Sequence, residues 1–379
     1  MTDVIKPFHL NIPRGQLDDL RARLANTRWP ERETVDDWSQ GAPLASVQKL
    51  CDYWQNHYDW RRCEARLNGY GQFTTEIDGL EIHFLHIRSP HADALPMIMT
   101  HGWPGSVIEF MDVIDPLTNP TAHGGEAKDA FHLVIPSLPG FGFSAKPTGT
   151  GWGIHRIAGA WAELMGRLGY SEWVAQGGDW GAGVTTAIGT LKPEGCRAIH
   201  LNMPLVQPKP EDMADLTEAE QKALGDMQHY QDWESGYSKQ QATRPQTLGY
   251  ALVDSPVGQA AWIYEKFHGW TDNRGNPEDA LSYDKMLDNI MLYWLNASGA
   301  SSGRLYWESF RDMFTTPMDI PVGVSIFPRE LFRPSRRWAE RVYLNLIHWN
   351  DLDKGGHFAA FEQPQLFVGE VRACFAKVR

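Results

Sequence analysis

The stretch WVAQGGDWGAGVTTAIG, residues 173–189, decides how the rest of the chain is read. A short apolar run ends in a glycine pair, an aspartate, a tryptophan and another glycine, and a helix-compatible segment follows. Gly177, Asp179 and Gly181 have the spacing of G-x-S-x-G, the sharp strand-to-helix corner that presents a nucleophile. The flanking glycines are needed because side chains two residues either side of the corner would collide. Asp179 stands where a serine would. Aspartate is also a favoured helix N-cap, so these residues alone leave two readings: a nucleophile, or a cap.

Outward from the corner, short apolar runs recur, each ending in glycine or proline. LPMIMTHG ends at Gly102, FHLVIPSLPG at Gly140, EWVAQGG at Gly178, CRAIHLNMP at Pro204 and PVGVSIFP at Pro328; NLIHW (345–349) comes last. Helical stretches such as IHRIAGAWAELMGRLG (154–169) lie between several of them. The alternation predicts an α/β fold with a mostly parallel, buried sheet flanked by helices. FTTEIDGLEIHFLHI switches to period two on either side of Asp78-Gly79 and predicts a hairpin. From about 205 to 318 the chain is helical in pattern, polar and rich in Trp and Tyr, with no clear strand, and reads as an inserted lid. Leu17, Leu20 and Leu24, then Val47, Leu50, Trp54 and Tyr58, recur at helical spacing. The expected organisation is a helical N-terminal extension over 1–75, the first part of the core over 76–204, the lid over 205–318 and the second part of the core over 319–379.

The 379 residues carry a net charge of -12, which argues against a nucleic-acid partner. Cys51 and Cys63 read as lying on one helix, twelve residues and roughly 18 Å apart, beyond disulfide reach. Free thiols, an N-terminus without the apolar core of a signal peptide, and the lack of a long apolar run predict a soluble, cytoplasmic protein with no membrane anchor. A homo-oligomer is compatible with the sequence.

A nucleophile at such a corner needs an oxyanion hole, a base and a group that orients the base, in the chain order nucleophile, acid, histidine. The Trp180 N–H follows Asp179, and HGWPGS (101–106), after an earlier apolar run, supplies the Trp103 N–H. Of the fourteen histidines, His357 in KGGHFAAFEQP sits in a glycine-flexed loop between the last strand and the C-terminal helix. Glu330, in FPREL, follows the preceding strand and is either the orienting acid or a solvated glutamate. Two further patterns are discounted. Gly299–Gly303 fits G-x-S-x-G around Ser301, but no strand leads into it and it reads as a loop. Gly140, Gly142 and Ala145 fit a dinucleotide fingerprint, but the Pro147 segment opens no helix to hold a pyrophosphate.

Together HGWPGS, PSLPGFGFS, GGDWG, FPREL and GGHFAAFEQP resemble an epoxide hydrolase of the α/β-hydrolase fold. RLANTRWPE, with the helical region around it, is similar to the N-terminal domain of the microsomal type. The resemblance implies Asp179 as nucleophile, His357 as base, Glu330 as charge-relay acid, and two lid tyrosines that hydrogen-bond the epoxide oxygen. ESGYSKQQATRPQTLGYALVDSPVG places the first at Tyr237, and SSGRLYWESF places the second at Tyr306. It also implies a cis peptide before Pro104, an apolar epoxide and water as partners, and neither metal nor cofactor.

The chemistry fits a carboxylate. A serine attacks an acyl carbon, but an epoxide has no carbonyl and opens by displacement at a tetrahedral carbon. A carboxylate can displace, and the ester it forms brings its own carbonyl for water to attack. A haloalkane dehalogenase is the alternative, since it uses the same aspartate but binds halide through donors such as indole N–H. A serine esterase would need Ser301 at an elbow. A non-catalytic binding protein would be expected to lack Asp179, Glu330 or His357, and all three are present.

Overall fold

The computed structural model describes residues 4–312 and 316–379. Residues 1–3 of the expected N-terminal extension and 313–315 of the expected lid lie outside the described residues.

Strands β1 (Lys6–Pro7), β2 (Gln72–Ile77), β3 (Leu80–Ile87), β4 (Leu95–Thr100), β5 (Phe131–Pro136), β6 (Trp173–Gly177), β7 (Cys196–Leu201), β8 (Met318–Ile326) and β9 (Tyr343–Asp351) form one sheet in the order β1-β2-β3-β5-β4-β6-β7-β8-β9. The β1–β2, β2–β3 and β3–β5 pairs are antiparallel. From β5 across to β9 every pair is parallel. The strands of the parallel part are near-continuous apolar runs because helices cover both faces; β5 and β6 are buried along their whole length. In the hairpin, Asp78 and Gly79 take φ 51° and 76°, the left-handed pair that matches strand twist in a two-residue turn.

Chain order reverses at β4, which lies between β5 and β6. Open α/β sheets bind ligands outside the carboxyl ends of their strands at such a switch point. β4 leads there into His101-Gly102-Trp103 and β6 into Gly178-Asp179. The loops after β8 and β9 approach the same end, where Arg329 and Gly356 form an isolated parallel bridge.

Between β7 and β8 the chain is helical, with helices Glu218–His229, Gly236–Thr243, Pro245–Asp254, Pro256–Trp270, Tyr283–Leu295 and Gly299–Ser309. The GASSG segment, expected as a loop, is instead the first turn of the last of these. Ser301 Oγ donates to the carbonyl of Gly140 at 2.6 Å, so the two discounted patterns hold each other and neither forms an elbow or a phosphate site. Gly140 takes φ 83°, a conformation that disfavours any β-carbon, and such a carbon would also meet the Ser301 carbonyl oxygen at 3.1 Å.

The N-terminal region contributes helices Arg14–Ala25, Leu44–Asn56 and Trp60–Asn68, and also the edge strand β1, which the helical reading passed over. Cys51 and Cys63 lie on two helices, not one. The first ends at Asn56, and the second starts anew because the Asp59 carboxylate caps it, accepting from the Arg61 N–H at 2.9 Å. Both cysteines are buried free thiols, and burial pushes Cys51 up to about 12. These helices pack on the lid helix Tyr283–Leu295. Tyr58 Oη donates to Asp288 Oδ1 at 2.7 Å, and Arg62 Nη2 reaches both Asp288 oxygens at 2.7 and 2.8 Å. Burial pushes the Asp288 carboxyl above its ordinary value, and Tyr58 and Arg62 oppose that shift.

Removing the carboxylate leaves the buried Tyr58 hydroxyl without its acceptor, while half-exposed Arg62 can turn to water. Asp288→Ala is therefore expected to cost about 2–3 kcal/mol, below the loss for a fully buried ion pair. Urea unfolding checks this; an unchanged midpoint contradicts the tie between N-terminal region and lid.

Candidate active site

Asp179 sits between β6 and the helix Trp180–Leu191 at φ 51° and ψ -130°. Positive φ is uncommon for a residue with a β-carbon and is held here by its surroundings. A β-carbon at Gly177 would lie 2.1 Å from the Gly181 carbonyl oxygen, and one at Gly181 would lie 1.9 Å from that of Thr100. The turn can therefore close only with glycine at both positions. Asp179 occupies the N-cap position, but its side chain makes no capping hydrogen bond. The carboxylate instead points across the turn: Oδ1 accepts from the Trp103 N–H at 2.7 Å, and Oδ2 lies 3.2 Å from His357 Nε2.

The HGWPGS loop is shaped for this contact. Its Trp103–Pro104 bond is cis. A β-carbon at Gly102 would fall 2.1 Å from Asp179 Oδ1, and one at Gly105 would fall on the Glu109 carboxylate. Trp180 opens the helix directly after Asp179, so its N–H has no intrahelical acceptor.

His357 Nδ1 lies 2.7 Å from Glu330 Oε1, which also accepts the Leu331 N–H at 2.6 Å. Glu330 is 3% exposed, so it is no solvated glutamate. The lid fixes the histidine loop from above: the His357 N–H donates to the Trp270 carbonyl at 2.9 Å, and the Gly355 N–H to Asp272 at 2.9 Å. A β-carbon at Gly356 would sit 2.4 Å from that Trp270 oxygen. Burial disfavours the imidazolium, but the Glu330 and Asp179 carboxylates outweigh it and hold His357 well above its ordinary 6.5.

Tyr237 and Tyr306 descend from lid helices Gly236–Thr243 and Gly299–Ser309 and are buried, with ring centroids 5.9 Å apart. Tyr237 stacks on Trp103 at 5.0 Å and 10°, and Tyr306 stands edge-on to Trp180 at 4.7 Å. A cavity of about 260 Å³ opens beside them, lined by Asp179, Trp180, Tyr237 and Tyr306 and by apolar Met203, Leu205, Phe310 and Phe332. On the other side of Asp179, a space of about 20 Å³ is lined by Asp179, His357, Glu109, Gln176 and Asn202. That is room for one water.

Of the seven residues expected at the site, Trp103 and His357 contact the Asp179 carboxylate, Glu330 contacts His357, and Trp180, Tyr237 and Tyr306 line the larger cavity with Asp179. Sequence reading missed four others. Glu109 faces the small space, and burial pushes its carboxyl up to about 8. Its signal was a lone carboxylate in the apolar run VIEFM. Trp270 packs edge-on to both Tyr237 and His357. Lys266 is buried with its ammonium 4.4 Å over the Tyr237 ring, and Tyr230 hydrogen-bonds Tyr237 at 2.8 Å. These three lie in the lid, where nothing in the pattern separates them from packing residues.

Residues 5–110 match the family model for the epoxide hydrolase N terminus, and residues 96–247 match the alpha/beta hydrolase fold. The chain is 34% identical to epoxide hydrolase 1 of Oryctolagus cuniculus, covering 97% of this chain and 88% of the relative. It belongs to the epoxide hydrolase family. It is also 62% identical, over 99% of its length and 86% of the relative, to a Stigmatella aurantiaca protein provisionally named an epoxide hydrolase. The structure of Aspergillus niger epoxide hydrolase matches with a TM-score of 0.90 at 32% identity, covering 99% of this chain and 97% of that one. The enzyme therefore has the α/β-hydrolase fold. Among the described residues, no helix is long and apolar enough to cross a membrane, and no group of three or more His, Cys, Asp or Glu is placed to hold a metal ion.

The space between Gly102 and Asp179 gives a direct test. Gly102→Ala forces the carboxylate off the Trp103 N–H while leaving the sheet intact. Activity is expected to fall at least about 100-fold, the usual scale for a misplaced reacting group, with an unchanged circular dichroism spectrum. Activity within threefold of wild type contradicts the placement.

Proposed function

We propose that this epoxide hydrolase works through a covalent ester on Asp179. The observation that carries the reading is the carboxylate's two-sided hold: Oδ1 on the Trp103 N–H at 2.7 Å, and Oδ2 at 3.2 Å from the His357 ring. Oδ2 attacks an epoxide carbon from the floor of the larger cavity. Tyr237 and Tyr306 hydrogen-bond the epoxide oxygen and protonate the leaving alkoxide; acid assistance of this kind is worth about 10²–10⁴-fold.

Ester formation then changes the base. It removes the Asp179 charge, one of the influences that raise His357. The imidazole loses affinity for its proton when it has to accept one. A water in the small space gives a proton to His357, oriented by Glu330, and attacks the ester carbonyl. The oxyanion forms on Oδ1, where the Trp103 and Trp180 N–H groups stabilise it. As the tetrahedral intermediate collapses, His357 passes its proton to the departing diol oxygen, and the proton of the new Asp179 carboxylic acid returns to the lid tyrosines, so the diol leaves and the carboxylate is restored. The substrate is an apolar epoxide, by the lining of the larger cavity. The dehalogenase alternative gains no support from relatives named as epoxide hydrolases.

Two outcomes test the sequence of steps. His357→Gln, quenched after mixing with styrene oxide, should hold an adduct of one substrate mass on the peptide containing Asp179; substrate consumed with no adduct contradicts the ester. In wild-type enzyme, ester decay should speed up with rising pH, along a limb below the His357 titration of the free enzyme followed by NMR. Coinciding limbs would show that esterification does not release the proton.

A further inference from the structure

Tyr230 has no part in the chemistry above, yet it touches one of its acids. The helix Glu218–His229 runs into a wide π-helical turn, Tyr230–Glu234, before the helix that carries Tyr237. Such turns recur at functional sites. The Tyr230 hydroxyl lies 2.8 Å from the Tyr237 hydroxyl, and both side chains line the larger cavity together with Asp179. Phe332 packs edge-on to Tyr230 at 6.0 Å and fixes its ring.

A phenol has one proton. If Tyr237 donates to Tyr230, it has none for the epoxide; if Tyr230 donates to Tyr237, the Tyr237 proton is free to point into the cavity. We propose that Tyr230 is a positioning residue and proton relay that acts through Tyr237. This rests on the assignment of Tyr237 as an acid for ring opening. As Asp179 forms its bond to the epoxide carbon, the carbon–oxygen bond breaks and the alkoxide takes the proton of Tyr237. The Tyr237 oxygen takes the proton of Tyr230, and the negative charge comes to rest on Tyr230. Once the ester is hydrolysed, the proton given up as Asp179 returns to its carboxylate restores Tyr230.

The environment favours that direction. Tyr237 is 6% exposed and enclosed by Trp103, Trp270 and Tyr306, whereas Tyr230 is only partly buried. Burial drives the Tyr237 phenol well above its ordinary 10. Burial also raises Tyr230, but the hydrogen bond with Tyr237 lowers it in part. Charge shared outward onto Tyr230 is cheaper than charge left on Tyr237.

A double-mutant cycle separates relay from packing. Single-turnover ester formation and diol release from styrene oxide are measured for wild type, Tyr230→Phe, Tyr237→Phe and the double variant. Tyr230→Phe should slow ester formation roughly tenfold, as expected for losing one hydrogen bond to developing charge, and leave ester hydrolysis unchanged. The double variant should match Tyr237→Phe alone, because a residue acting through Tyr237 has nothing left to act on. An unaffected Tyr230→Phe, or the same factor lost in both backgrounds, overturns the relay. If wild type forms no ester, the covalent reading of Asp179 falls, and the same cycle on diol release still decides the coupling of the two tyrosines.

Discussion

Asp179 is held at a backbone conformation that costs a residue with a side chain about 1–3 kcal/mol, and its neighbours leave it no other. Gly177 and Gly181 close the turn to less than one side chain's thickness, and Gly102 lets the facing loop lie against the carboxylate. Freed from the helix terminus it would otherwise cap, the carboxylate has one oxygen on a backbone N–H and the other toward an imidazole. The other parts of the site are placed relative to that one side chain.

The sheet supplies the placement. Reversal of chain order at β4 puts the loops after β4 and β6 side by side at one sheet end, and the bridge between Arg329 and Gly356 ties the loops carrying Glu330 and His357. The lid closes the constellation from above through the Trp270 carbonyl, which receives the His357 N–H. The N-terminal helices in turn brace the lid through Asp288. The lid helix that carries Asp288 packs on the helix that ends at Trp270, so contacts link the N-terminal region to the base.

How much of this was legible in the sequence follows from which contacts need a particular residue. Where backbone passes close to backbone or carboxylate, only glycine fits, so GGDWG, HGWPGS and GGHF announced themselves. The strands of the parallel sheet were legible because burial on both faces demands unbroken apolar runs. The break between Cys51 and Cys63 was missed because helical spacing of apolar residues carries on across it; the Asp59 cap that restarts the helix is a polar signal outside that pattern. GASSG was misread because a helix start and a loop share small, polar residues. Tyr230, Lys266 and Trp270 could not be singled out, since their importance comes from which lid helix faces which, and an aromatic that packs looks the same in sequence as one that donates a proton.

The central claim is that the first new bond to substrate is made by Asp179 and not by water. One turnover in H₂¹⁸O with enzyme in excess over styrene oxide tests it directly. The account predicts a diol without label and one heavy oxygen in the Asp179 carboxylate, because water attacks the ester carbonyl. A diol that carries the label while Asp179 stays unlabelled would contradict it.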